Sequence, residues 1–140
     1  MMRALSRNEV IESAREALAT RPRVLLAYLF GSCARGTEGP LSDVDVAVLL
    51  SNRSGDDDEL GEVTDQLERR LGMGHVDVVP LDRAPIPLRY RVVRDGLVLV
   101  CRDQVARERL EVDAMRRYLD FKCLRDRAFL TLRNAILAGG

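Results

Sequence analysis

Gly31 and Ser32, ten intervening residues, and then Asp43-Val44-Asp45 are the stretch whose residue types and spacing could do chemistry. The second group opens an apolar run to Leu50, and side chains two apart on a strand share a face. Asp43 and Asp45 should therefore project together, with Val44, Val46 and Val48 on the other side. Two carboxylates at one end of a buried strand repel each other and lose hydration, so a cation is needed to compensate. An all-oxygen donor set favours magnesium or manganese over zinc. Gly31 closes the preceding apolar run, where the lack of a side chain lets backbone approach a ligand. Its amide, the Ser32 hydroxyl and the Arg35 guanidinium all suit phosphate oxygens. Asp77 sits in a later short strand, with Val76 and Val78 on the opposite face. A third carboxylate beside the first two would hold a second metal ion and activate an attacking hydroxyl, while the first ion organises a triphosphate and its leaving group.

Elements of fitting length surround these residues. Ser6 and Glu9 form a capping box ahead of Val10, Ile11, Ala14, Ala17 and Leu18, whose spacing predicts a helix that stops at Arg21-Pro22. Val24 to Phe30 reads as a strand buried on both faces, and Asp43 to Leu50 as a second one. Leu60, Val63, Leu67 and Leu71 define an amphipathic helix ending at Gly72 and Gly74. His75 to Val79 is a third strand closed by Pro80, Pro85 to Arg94 a helix, and Leu97 to Cys101 a fourth strand. From Asp103 to about Ala138 the pattern is helical, with room for one break. Leu110, Ala114, Tyr118 and Phe121 line one stripe of that helix; Val112, Met115, Leu119 and Cys123 line another. Together they are wider than one packing face requires, so part of the helix should dock on a partner or on a second copy of the chain. Helices around short strands indicate one α/β (α+β) domain over residues 1–140, with a small mixed sheet flanked by helices and a long C-terminal helix.

Composition narrows the class. Of 140 residues, 46% are apolar and 31% charged, and 22 basic side chains balance 22 acidic ones. Zero net charge argues against a protein that coats nucleic acid or anionic membrane. The apolar run from Val24 to Phe30 is too short to span a bilayer, and no signal-peptide core follows Met1-Met2-Arg3, so a cytoplasmic location is expected. Cys33, Cys101 and Cys123 are odd in number and widely spaced, which indicates neither a disulfide framework nor a zinc site. Cys33 has no companion base in the sequence, and Asp56-Asp57-Asp58-Glu59 reads as an acidic helix start rather than a metal cluster. His75 shares a strand face with Asp77 and fits a partly buried role better than contact with an acceptor. Arg83, Arg89, Arg91 and Arg94 read as a solvated basic face, with triphosphate contact as the sharper alternative.

Gly31-Ser32, the ten-residue spacing, Asp43-Val44-Asp45 and the later strand Asp77 resemble the signature of the polymerase-β-type nucleotidyltransferase superfamily. Over nearly the whole length the chain looks like the minimal nucleotidyltransferase branch, the antitoxin partner of HEPN-domain toxins. The resemblance implies that Asp43, Asp45 and Asp77 are catalytic and bind two magnesium ions, and that Gly31, Ser32 and, less directly, Arg35 hold the nucleotide phosphates. It further implies ATP as donor, a HEPN-domain toxin as partner, a toxin tyrosine as acceptor, and silencing of the toxin by AMP addition. The alternatives are a small-molecule enzyme of the aminoglycoside-modifying type, which generally carries an extra helical domain, and a catalytically silent module that neutralises a toxin by occlusion.

Overall fold

Ser6 starts the first helix as its spacing with Glu9 requires: the hydroxyl accepts the Glu9 amide at 3.2 Å, satisfying one of the otherwise unpaired N–H groups. The computed structural model describes residues 5–31, 43–51, 56–72 and 76–139. Helix α1 (Arg7–Ala19) buries Val10, Ile11, Ala14, Ala17 and Leu18. Its C-terminus is finished by groups far away in sequence. Arg102 donates to the carbonyls of Leu18 and Ala19 at 3.2 and 3.1 Å, and Gln66 to that of Ala17 at 3.1 Å. A guanidinium at the negative end of the helix is favourable as well as geometrically apt.

Four strands form one mixed sheet in the order β3-β2-β1-β4. Strand β1 (Val24–Phe30) is antiparallel to both β2 (Val44–Leu50) and β4 (Leu97–Cys101), whereas β3 (Val76–Pro80) runs parallel to β2. A parallel pair needs a crossover, and α2 (Asp56–Leu71) supplies it. The sheet is covered on both faces, which is why β1 reads as continuous apolar sequence. Ala27, Leu29, Val44, Val46, Val48 and Val76 pack with α1 and α2. Leu26, Tyr28 and Ala47 pack on the other face, with Leu81 from a 3-10 turn (Leu81–Arg83), Val92 of α3 (Ile86–Asp95) and Leu110 of α4 (Gln104–Ala138).

The acidic start of α2 behaves as a helix N-terminus. Glu59 is buried and faces Arg21 and Arg23 at 3.8 and 3.9 Å, and Asp57 pairs with Arg83 at 3.3 Å. Helix α4 runs without the break for which the sequence left room. Its 35 residues contain neither Pro nor Gly, so nothing interrupts the hydrogen-bond ladder over about 52 Å. The first apolar stripe, through Leu110, Ala114 and Tyr118, faces the domain; Val112, Met115 and Leu119 of the second are exposed. Among the described residues no helix is long and apolar enough to cross a membrane.

Tyr28 ties α4 to the sheet. Its ring is 1% exposed, and its hydroxyl donates to Glu111 Oε1 at 2.8 Å, the same oxygen that accepts Arg107 Nε at 2.8 Å. Burial, followed by the hydrogen bond to Glu111, pushes the phenol well above its ordinary value. For Glu111 burial acts upward, but hydrogen bonds from Arg107 and Tyr28 outweigh it and hold the carboxyl below its ordinary value. A carboxyl lowered by folding contributes stability above its unfolded pKa, about 4.3, and loses it as pH falls through the folded value. Tyr28→Phe is expected to cost about 1–2 kcal/mol in urea unfolding at neutral pH. Glu111→Gln is expected to flatten the acid limb of stability below about pH 5, and an unchanged limb would remove Glu111 from this account.

Candidate active site

The sheet register brings together what the sequence holds apart. Asp45 pairs with Phe30 across β1 and with Asp77 across β3, in a ladder that also aligns Val44 with Val76 and Val46 with Val78. Since those valines lie in the α1–α2 core, Asp45 and Asp77 must share the opposite face, on strands about 4.8 Å apart. Asp43 stands immediately before β2, two residues from Asp45 and therefore on the same side of the chain. Asp45 is half-buried; Asp43 and Asp77 are exposed.

Asp45 feels the charge of the other two. The Asp45 carboxyl is raised above its ordinary value, first by burial, then by the negative charge of Asp77, then by that of Asp43. Gly31 crowds the same group. A Cβ built on Gly31 would collide with Asp45 Oδ2, and the Gly31 backbone has φ +77°, where side chains are rarely accommodated. Glycine is thus required twice, by conformation and by space, with the carboxylate directly against the turn. Among the described residues no three His, Cys, Asp or Glu side chains stand close enough to form a finished metal cage. The hard oxygen donors of Asp43, Asp45 and Asp77 are of the kind that suits magnesium.

A family model for polymerase β-type nucleotidyltransferases matches residues 12–105, which takes in most of α1, all four strands and every residue of this site. The chain belongs to that nucleotidyltransferase family. A protein adenylyltransferase, MntA, from Shewanella oneidensis is 35% identical over 95 residues, covering 68% of this chain and 65% of its own length. This nucleotidyltransferase also resembles a crystal structure of a toxin–antitoxin with AMP-PNP, at 30% identity and TM-score 0.69, over 91% of this chain and 98% of the other. A second similar structure contains a tri-AMPylated Shewanella oneidensis HEPN toxin in complex with an MNT antitoxin; the match has 28% identity and TM-score 0.63 over 90% and 94% of the two chains. The fold class expected from the sequence, and the minimal-nucleotidyltransferase branch it resembles, agree with these relatives.

Placement of the other candidates is uneven. Ser32, Cys33, Arg35 and His75 lie outside the described residues. Of the arginines read as a basic face, Arg89 is structural. It donates to the carbonyls of Asp82 and Ala84 at 2.9 and 3.2 Å and pairs with Asp113 at 3.5 Å, joining the 3-10 turn, α3 and α4. Arg94 pairs with Asp95 at 2.8 Å and lies over the Tyr90 ring, while Arg91 is exposed. Phe30 is a neighbour of the site that the sequence alone did not single out. It is in register with Asp45 and on the same face, but nothing in a continuous apolar run marks its last residue as special.

Proposed function

We propose that this chain is a magnesium-dependent protein adenylyltransferase that moves AMP from ATP to a tyrosine hydroxyl of a HEPN-domain toxin and so neutralises it. The observation that carries this reading is the in-register Asp45–Asp77 pair, with Asp43 on the same side and Gly31 pressed against it. The similarity to an adenylyltransferase and to structures holding AMP-PNP or an AMPylated HEPN toxin supports ATP as donor and a protein as acceptor. ATP as donor is also what assigns the work to the cytoplasm.

Asp43, Asp45 and Asp77 would hold the magnesium, which when bound supplies positive charge to the triphosphate and to the departing pyrophosphate. The chain's own contribution is arrangement. Gly31 keeps the end of β1 free of a side chain, so that the phosphates can approach the carboxylates, and the expected roles of Ser32 and Arg35 are to hold phosphate oxygens there. Asp77, exposed on the edge strand, is the carboxylate best placed to take the proton of the incoming hydroxyl as that oxygen attacks the α-phosphorus. The apolar packing behind Asp45 lowers the local dielectric and so strengthens each of these interactions.

The test is incubation of the chain with magnesium, ATP labelled at the α-phosphate, and a HEPN-domain toxin. Label is expected on a toxin tyrosine, with release of one pyrophosphate per AMP and loss of toxin activity. Label on an aminoglycoside instead would favour the small-molecule reading. Tight complex formation with no label would favour a silent binding module.

A further inference from the structure

We infer that the C-terminal half of α4 is the docking surface for the acceptor protein, and that this protein receives it in an apolar groove rimmed by acidic side chains. The inference deepens the acceptor reading above and rests on it. Its first support is where the helix goes. Strand β4 starts opposite Leu29, near the site, and ends at Cys101 opposite Leu26; the amide of Arg102 then bonds to the Leu25 carbonyl at 2.7 Å. Helix α4 therefore begins at the end of the sheet remote from the carboxylates and returns towards them. On the way it meets Tyr28 through Glu111, Arg89 through Asp113, and Tyr90 through a ring stack at 3.8 Å with Tyr118. Helix α3 stops at Asp95, just before Leu97 pairs with Leu29. Residues 122–138 continue for about 26 Å beyond Phe121, past the end of the sheet where Gly31, Asp45 and Asp77 lie.

The second support is the surface of that segment. Leu124, Phe129, Leu130, Leu132, Ile136 and Leu137 are 47–71% exposed, and no residue from Lys122 to Gly139 is buried. Phe129, Leu132 and Ile136 continue the stripe that is buried earlier in the helix, whereas Leu124, Leu130 and Leu137 lie on other sides. A helix apolar on several sides is stable when something surrounds it. Charge selects the occupant. Lys122, Arg125, Arg127 and Arg133 face only Asp126 within this segment, although the chain as a whole is neutral. A second copy would lay one cationic helix beside another, whereas an acidic-rimmed partner meets complementary charge. A partner seated there lies at the end of the sheet that carries the carboxylates, where a hydroxyl is needed.

The test uses the full chain and separately purified HEPN-domain toxin, with two double variants, Leu132→Glu/Ile136→Glu and Arg127→Glu/Arg133→Glu. All four residues are exposed and circular dichroism should show unchanged helix. Expected is at least a tenfold weaker complex in sedimentation and at least a tenfold higher KM for the toxin, with kcat at saturating toxin and the ATP dependence unchanged. Asp45→Asn should bind the toxin as the unmodified chain does. Binding that depends on α4 without any label would keep the docking surface and overturn the transfer reading. Wild-type affinity in both double variants, absence of any complex with the unmodified chain, or loss of a homodimer with toxin binding unaltered would each overturn the docking surface.

Discussion

Asp45→Asn should abolish transfer while making the metal-free protein more stable, two effects of opposite sign from one atom. Asp45 is the central carboxylate, in register with Asp77 and two residues after Asp43, so its loss removes the shared position around which the proposed cation would be held. Loss of one essential electrostatic group at a reacting centre typically costs up to about a thousandfold in rate, and a ligand of the proposed metal would belong at the upper end. The stability change follows from the raised carboxyl. Its folded pKa lies above the unfolded one because burial, Asp77 and Asp43 all disfavour the charge. An acid with a raised folded pKa destabilises the fold once pH exceeds its unfolded value, about 3.9. The neutral amide removes that burden at neutral pH. Urea unfolding without metal should move to higher denaturant for Asp45→Asn, and added magnesium should stabilise the unmodified chain but not the variant. An active variant, or magnesium stabilising both equally, would refute the site.

Gly31→Ala is the second change with a large effect, and it leaves every charged residue in the sequence. The new methyl must occupy the place of Asp45 Oδ2, at a backbone conformation with φ +77°. Strain of a non-glycine residue there costs about 1–2 kcal/mol. Displacing the carboxylate by roughly an ångström can reduce transfer about a hundredfold. Steady-state labelling should therefore show a fall in kcat together with weaker magnesium dependence, and a modest drop in the urea midpoint. Ala at Gly61, an exposed helical position with nothing within 4 Å of a built Cβ, serves as the control and should leave labelling unaltered. Full activity in Gly31→Ala would show that the carboxylate does not need its present position.

Local pattern carried much of the architecture. The Ser6–Glu9 capping box, the two valine-rich strands, the Gly72 stop and the spacing of Leu60, Val63, Leu67 and Leu71 are short-range signals, and the elements they imply are present. Arg107 and Glu111, four apart on a helix, were equally open to local reading. Tyr28 was not: its partner lies 83 residues away, and a buried tyrosine in an apolar run carries no mark of which carboxylate it will find. In the basic cluster Arg83, Arg91 and Arg94 are exposed, as a solvated face requires, whereas Arg89 is drawn in by partners on the 3-10 turn and α4 that local pattern does not reveal.

Residue type and short-range spacing alone indicated that Asp43 and Asp45 share a face, that Gly31 ends a strand, and that an acidic, metal-seeking site was to be expected. They could not decide that Asp77 stands beside Asp45. Asp45 and Asp77 are neighbours only because α2 carries the chain across to a parallel strand whose register is set by Val44 against Val76 and Val46 against Val78. A slip of one residue would turn Asp77 into the apolar core, and burial of an unpaired charge forbids it. The same holds for Gly31: its need for φ above zero is a local matter, whereas the carboxylate filling the space of its missing side chain comes from strand pairing.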